Sequence, residues 1–394
     1  MDQEQTAYQN SWNPGMSEFN QACVDTGSPV CDDFWPKNYY YELSERDFEY
    51  RRDVEFEELA IYGELTYNFS DSLRLTGGLR WFENESVNDT LMGFPLGPDA
   101  VSDPVPQSTD EDDDILLKAN LSWDVSDSTM LYGTISEGYR CGGANAIPSA
   151  DNGDPFGEPN ADAIRQYEKD TVTNYEIGIK GGTDNLTYTL SAFYVDWQDP
   201  QLNTVTTWYA FYYAANGDEA STQGIELELD GYFTDNLHYH LGYTYVKAEL
   251  DSDFVSPQTG DVVAESGSKL PGTPENVLSA SLDGTWSIGA NWDMIGRVSA
   301  YYQDESEGYI NQDSLLNETY DEFWLFNASL AFVSDNWDIT LYGKNLADED
   351  GVTGSFPASD WSYDTGVFEQ WYGNGNRQFI SQPRTIGLNV GYRF

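Results

Sequence analysis

Residues 385–394 read TIGLNVGYRF, and in them Ile386, Leu388, Val390, Tyr392 and Phe394 alternate with Thr385, Gly387, Asn389, Gly391 and Arg393. Successive side chains on a β-strand point to opposite faces, so this stretch is a strand with one apolar and one polar face. The same dyad recurs upstream. Trp337, Ile339 and Leu341 alternate with Asp338, Thr340 and Tyr342, and Ile225, Leu227 and Leu229 with Glu226, Glu228 and Asp230. Leu237, Tyr239, Leu241, Tyr243 and Tyr245 alternate with His238, His240, Gly242 and Thr244. Between such stretches one kind of tripeptide returns at a spacing of about 50 residues. Its copies are Ser70-Asp71-Ser72, Ser126-Asp127-Ser128, Thr183-Asp184-Asn185, Thr234-Asp235-Asn236 and Ser334-Asp335-Asn336, with a looser Ser287-Ile288-Gly289. Short polar side chains bond their own backbone, and Asn, Asp and Gly tolerate positive φ, so these are tight turns.

Alternation alone fits a soluble sandwich as well as a membrane barrel. Three features favour the barrel. The strands run to about 10–14 residues, longer than the usual five or six. Tyr, Trp and Phe gather near strand ends, as in the aromatic girdles at a membrane surface. Tight turns alternate with long polar loops near 88–112, 141–170, 252–275, 306–321 and 348–382, the pattern of short periplasmic turns and long external loops. Strands are expected at 54–69, 73–87, 113–125, 129–140, 171–182, 186–198, 222–233, 237–250, 276–286, 291–305, 321–333, 337–347 and 383–394. That is about thirteen where single-chain bacterial barrels have an even number, so a weak extra strand at 37–50 is considered. The expected fold is an all-β, transmembrane antiparallel barrel. Residues 1–53 read as the end of an external loop or an N-terminal remnant, and 54–394 as the barrel portion.

Composition excludes much else. The 394 residues carry 68 acidic against 18 basic side chains, a net charge of −50, so no basic face exists to hold nucleic acid. With a mean hydropathy of −0.56 and no apolar run of about 18 residues, membrane-spanning helices are excluded. Disorder is contradicted by 15% aromatic residues. Met1–Gln5 lacks the basic and apolar regions of a signal peptide, which points to a beginning further upstream or to a cytoplasmic chain. Cys23 and Cys31 fit either a small loop disulfide or free thiols, and Cys141 is left over.

Several stretches resemble the C-terminal part of the barrel of TonB-dependent outer-membrane receptors. They are Tyr175-Glu176-Ile177-Gly178-Ile179-Lys180, Gly224-Ile225-Glu226-Leu227-Glu228, Leu270-Pro271-Gly272-Thr273-Pro274, Gly343-Lys344-Asn345-Leu346-Ala347-Asp348, Pro383-Arg384-Thr385-Ile386-Gly387-Leu388 and Tyr392-Arg393-Phe394. Gly133 to Asn145 resembles a strand-to-loop passage of these receptors. The resemblance implies a 22-stranded, plugged barrel in the bacterial outer membrane, of which 13–14 strands are expected here. It implies uptake of a scarce small-molecule nutrient, such as siderophore-bound iron or an oligosaccharide, with lipid, lipopolysaccharide, TonB and the plug as partners. The chain departs from that pattern in carrying no plug, no TonB-contacting segment and only the later strands. The alternatives are a passive porin of about 14 strands and a surface carbohydrate-binding β-protein.

Candidate ligand residues lie in the expected external loops: Trp361, Tyr363, Phe368, Trp371 and Tyr372, with Arg140 and Asn145. Aromatic faces beside amides suit sugar rings, but packing of the loop against its neighbours, or a place in the interfacial girdle, is the favoured account of these rings. Tyr392 and Phe394 resemble the terminal signal read by the outer-membrane assembly machinery. The run Asp110-Glu111-Asp112-Asp113-Asp114 and the triplet Asp348-Glu349-Asp350 could hold Ca²⁺, but they lack ligand spacing and are expected to be solvated loops. His238 and His240, the only histidines, share one face and read as lumen residues without a third metal ligand. No metal, cofactor or catalytic residue is expected, since no H-E-x-x-H, P-loop or G-x-S-x-G occurs.

Overall fold

The structure is a computed structural model that describes residues 2–12, 46–93, 105–147, 149, 157–207, 211–314, 317–356 and 377–394. Fourteen strands form one antiparallel sheet in chain order. They are β1 (Asp2–Trp12), β2 (Arg46–Asn68), β3 (Leu73–Gly93), β4 (Val105–Ser126), β5 (Thr129–Arg140), β6 (Asp170–Thr183) and β7 (Leu186–Gln198). The rest are β8 (Glu219–Thr234), β9 (Leu237–Leu250), β10 (Asn276–Ile288), β11 (Trp292–Gln303), β12 (Phe323–Val333), β13 (Trp337–Lys344) and β14 (Thr385–Tyr392). No helix among the described residues is long and apolar enough to cross a membrane.

Register makes the dyads coincide from strand to strand. Leu241 pairs with Ala280, Leu282 with Val298, Gly296 with Leu330, Leu330 with Leu341 and Leu341 with Leu388. Every apolar set therefore falls on one continuous outward face, and Ile61, Leu65, Ile177, Ile386 and Leu388 stand highly exposed on it. A water-soluble sheet would bury such a face, whereas hydrocarbon covers it in a barrel. The aromatics form two belts on this face. Near the turns Trp337 packs on Tyr392 at 4.7 Å and Phe233 on Tyr239 at 4.3 Å. Near the loops Tyr302 packs on Trp324 at 4.7 Å. Trp292 and Tyr302, both outward on β11, lie about 34 Å apart along the strand, or about 24 Å across a membrane at a tilt near 45°. This matches the height of an outer-membrane apolar band.

The tight turns work as their chemistry implies. The Ser70 hydroxyl accepts the Leu73 amide at 3.1 Å, and the Ser334 hydroxyl accepts the Trp337 amide at 3.0 Å. Gly289 takes φ 68°, a left-handed conformation that a side chain would oppose.

The inward face is polar and ion-paired. Arg74 meets Asp124 at 2.6 Å, Arg80 meets Glu58 at 2.7 Å, and Lys118 meets Glu64 at 3.1 Å. Lys180 lies 4.9 Å over the Tyr132 ring. His238 Nε2 is 3.1 Å from Asp230, with His240 Nδ1 at 3.6 Å from the same carboxylate. One aspartate thus engages both histidines.

Two expectations changed. The even count comes from Asp2–Trp12, which pairs with β2, and not from 37–50. Of that stretch, residues 46–50 begin β2 and 37–45 lie outside the described residues. The acidic run at 110–114 is no loop. It belongs to β4 and pairs with 82–86 of β3. Glu83, Glu85, Glu111 and Asp113 face outward there, so this part of the wall stands above the lipid with a wet outer face, while its inner face is buried under the loops. A run of carboxylates on both faces leaves no apolar dyad to read.

Candidate functional site

On the loop side the connections fold back over the sheet as short hairpins. Gln201–Val205 pairs with Tyr212–Asn216, Phe254–Val255 with Val262–Ala264, and Ser306–Glu307 with Thr319–Tyr320. The connection after β5 adds the pair Gly143–Ala144 with Gln166–Tyr167 and a 3-10 turn at Ala161–Ile164. Ile147, Ile164, Leu202, Tyr213, Leu250, Phe254, Leu270 and Ile310 are buried together between these loops. Burial of each contributes about 1.5–3 kcal/mol, enough to make the loops one cap. Glu158, fully buried, accepts from Thr206 at 2.6 Å and Gln258 at 3.3 Å, tying three loops through one carboxylate.

A cleft of about 610 Å³ opens where the loops meet. It is lined by Trp197, Gln201, Leu202, Asn203, Tyr212, Leu270, Pro271, Thr273, Gly308, Tyr309, Ile310 and Ser355, and none of these carries a charge. Tyr309 is held by Thr204 at 2.9 Å. Trp197 is held by Asp170, which is 1% exposed and accepts its indole N–H at 3.0 Å. The Gln201 backbone donates to the same carboxylate at 3.2 Å, and the Arg140 guanidinium grips it while lying 4.9 Å over the Trp197 ring. Arg140 thus orients the wall of the cleft through Asp170 and Trp197. Asn145 is a clip between loops. Its side-chain amide donates to the Ile164 and Ala214 carbonyls at 2.7 and 2.8 Å and accepts the Ala214 N–H at 3.0 Å. Trp361, Tyr363, Phe368, Trp371 and Tyr372 lie outside the described residues, as do Cys23 and Cys31. Tyr392 and Phe394 close the outward aromatic belt on the turn side, with ring centroids 5.1 Å apart.

Six cations on this side pair with carboxylates, while Arg52 donates to the Asn88 side-chain oxygen at 2.7 Å. Arg140 pairs with Asp170, Arg165 with Asp162, Lys169 with Asp114, Lys247 with Glu249, Lys269 with Glu275 and Arg384 with Asp348. The last pair accounts for Asp348 of the acidic triplet. Below the cap, on the inward face above the lipid, Asn84 Oδ1, Asp110 Oδ2 and Asp112 Oδ2 are buried without hydrogen-bond partners. Burial first, then the charges of Asp112 and Glu168, raises the Asp110 pKa. Burial and Asp112 likewise raise that of the free Cys141 thiol. Among the described residues, no group of three or more His, Cys, Asp or Glu is arranged to hold a metal.

The family model described as TonB dependent receptor-like, beta-barrel matches residues 4–346. The chain belongs to this family. Among curated relatives, a pesticin receptor of Yersinia enterocolitica is 24% identical over 231 residues, covering 58% of this chain and 30% of the receptor. A probable TonB-dependent siderophore receptor, PiuA, of Acinetobacter baumannii is 23% identical, covering 75% of this chain and 37% of that protein. Among solved structures, the ferric yersiniabactin uptake receptor FyuA of Yersinia pestis superposes with a TM-score of 0.67 at 20% identity, over 89% of this chain and 48% of that one. PiuA of Acinetobacter baumannii gives 0.62 at 16%, over 99% and 51%. The chain thus spans about a third of those curated relatives and about half of those solved chains. As a TonB-dependent receptor barrel it is an outer-membrane protein, and its family consists of receptors and transporters rather than enzymes.

The cleft itself was not marked by sequence patterning. Its walls come from four separate loops and the end of β7, and only the aromatic run from Trp208 to Tyr213 hints at it.

Proposed function

We infer that the chain forms the ligand-receiving wall and rim of a receptor that takes up a small-molecule nutrient through the outer membrane. In the whole protein TonB and a plug would supply the energy and the gate, and the chain itself has no catalytic part. The outward face would meet lipid, and the acidic rim would meet lipopolysaccharide through divalent cations. The observation that carries this reading is the cleft of about 610 Å³ between the loops, above a polar inner wall. It is large enough for a compact ligand, and such sites combine apolar surface with a few polar groups that set orientation.

Metal chelates are the ligand class in the names of FyuA and PiuA, and the cleft supports one that is uncharged or cationic. Its lining offers aromatic faces, two amides and hydroxyls but no Lys or Arg. The six cations named above are paired, and the chain's net charge is −50, so a multiply anionic ligand meets repulsion. Trp361, Tyr363, Phe368, Trp371 and Tyr372 are proposed as further ligand contacts, and Arg140 and Asn145 as groups that position the cleft.

Tryptophan fluorescence of the intact receptor, titrated with an uncharged ferric trihydroxamate and with a trianionic ferric tris-catecholate, tests this. The uncharged chelate should bind at least tenfold more tightly, and Tyr212→Ala should weaken it. Equal or tighter binding of the trianion would contradict the ligand class, and binding of either that is indifferent to Tyr212→Ala would contradict the site.

A further inference from the structure

A groove of about 490 Å³ crosses the outward face between β9 and β14. Its floor is made by Gly284, Gly296, Ala328 and Gly343, one from each of β10 to β13. Gly284 pairs with Gly296 and Ala328 with Gly343, but Ala328 faces Val298, two residues beyond Gly296 on β11. The floor therefore climbs toward the loop side as it crosses the strands. Leu282 and Val298 stand on its loop side, and Leu330 and Leu341 on its turn side. Trp286 and Leu346 shape the rest by filling the space that side chains on Gly284 and Gly343 would take. Over Gly296 the floor is open, since a Cβ there would reach only ordinary contact, 3.6 Å from Trp286 and 3.9 Å from Leu330. Arg297 borders the groove but is paired with Asp283 of the inward face.

The depth of the groove is set by the belts. It starts beside Leu237, the first residue of β9 after its turn, which pairs with Gly284. It ends beside Gly343 and Ile386, each six residues from the turn-side belt at Trp337 and Tyr392. Six residues rise about 20 Å along a strand, or about 14 Å across a membrane at a tilt near 45°. The groove thus runs from the turn-side surface to just past the middle of the apolar band.

We propose that this groove holds one acyl chain of a zwitterionic phospholipid from the leaflet on the turn side. The proposal rests on the membrane reading of the outward face and continues that lipid interface into a defined site. Within hydrocarbon no hydrophobic difference separates lipid from protein, so dispersion contact decides what stays. A chain on a flat wall touches protein on one side, whereas a chain in this groove touches it on three. A helix does not enter, because it is about 10–12 Å across with its side chains, and Met294 and Val298 stand about 7 Å to either side of Gly296 on β11. The charge at the open end selects the headgroup. Asp235 is exposed in the turn there, and neither 234–236 nor 287–291 carries a Lys or Arg to hold the phosphates of an anionic lipid. A headgroup with an ammonium meets that carboxylate favourably.

Photocrosslinking in lipid vesicles, with a phosphatidylethanolamine that carries a diazirine on one acyl chain, tests it on the intact receptor. Label on peptides spanning 282–298 and 328–343 should exceed that on 190–194 and 225–229, which share the outward face outside the groove, at least fivefold. A diazirine near the glycerol should favour 284–296, and one near the methyl end should favour 343 and 386. Gly296→Leu and Ala328→Phe fill the floor and should bring groove labelling down to that of the other peptides, whereas Ala300→Leu, outside the groove, should leave it unchanged. Equal labelling of all these peptides in the unaltered receptor would overturn the groove and leave the membrane reading intact. Labelling of none of them would overturn both. The reverse order of the two diazirine positions, or displacement by lipid A and not by unlabelled phosphatidylethanolamine, would overturn the assigned lipid. A crosslinked second copy in place of lipid would overturn the occupant. If the filled variants fail to fold, the ratio and the order in the unaltered receptor decide alone.

Discussion

Replacing Asp170 by alanine should loosen the cap without unfolding the barrel. Asp170 is almost fully buried and accepts from the Arg140 guanidinium, the Trp197 indole and the Gln201 backbone. Removing one partner of a buried ion pair typically costs about 3–5 kcal/mol because the other charge is stranded. Here the Arg140 side chain is 53% exposed and can turn to water, so its share is small. What remains is the loss of three hydrogen bonds to a charged acceptor, from the Trp197 indole and the Gln201 and Arg140 backbone N–H groups, worth about 1.5–3 kcal/mol each at most. With partial rescue by water, a cost of about 2–4 kcal/mol to cap closure is expected. A cost of that size opens a local unit and leaves the ladder intact. Limited trypsin digestion should then cut at Arg165 and Lys169 at least tenfold faster, and Trp197 emission should shift to the red. Asp170→Asn, which keeps an acceptor, should cost roughly half as much. Unchanged cleavage and emission in Asp170→Ala would refute the idea that this carboxylate holds the cleft wall.

The Asp110–Asp112 pair below the cap predicts a pH effect. Asp110 has a raised pKa when folded, so the native state binds its proton more tightly than the unfolded chain. Stability of the outer β3–β4 wall should therefore fall as pH rises from the ordinary aspartate range through the raised value. Asp110→Asn should flatten that slope, as measured by hydrogen exchange of 82–90 across pH. Asn345, 4% exposed with φ 47°, donates to the Glu349 and Gln382 carbonyls and accepts the Glu349 amide. Asn345→Ala should cost about 2–4 kcal/mol locally, seen as faster proteolysis after Arg384. On β14, Leu388→Lys puts a charge in lipid and should cost about 2–4 kcal/mol, whereas Asn389→Lys faces the lumen and should cost little. Folding yield in lipid vesicles separates the two.

The sequence patterning was strongest where lipid enforces it. Within the membrane one face meets hydrocarbon, so apolar residues such as Ile386, Leu388 and Val390 must alternate, and their strands could be read directly. Above the membrane that constraint lapses. β1 (DQEQTAYQNSW) and the carboxylates at 110–114 are strands with no dyad, held by their neighbours' ladders. The turns were legible because the Ser and Thr hydroxyls that close them act within three residues. The cleft was not, because Trp197, Tyr212 and Tyr309 meet only after separate hairpins pack around Leu202 and Phe254. Arg140 and Asn145 were singled out by resemblance, and their geometry gives each a local task, gripping Asp170 and clipping two loops.

Cysteine accessibility along β10 tests the central claim, that one face of this sheet meets lipid and the other water. Single cysteines at 278, 280 and 282 should resist a membrane-impermeant maleimide in lipid vesicles, and those at 279, 281 and 283 should react. Such a two-residue alternation is the predicted result. Uniform labelling at all six positions, from a chain that stays monodisperse without detergent, would contradict it.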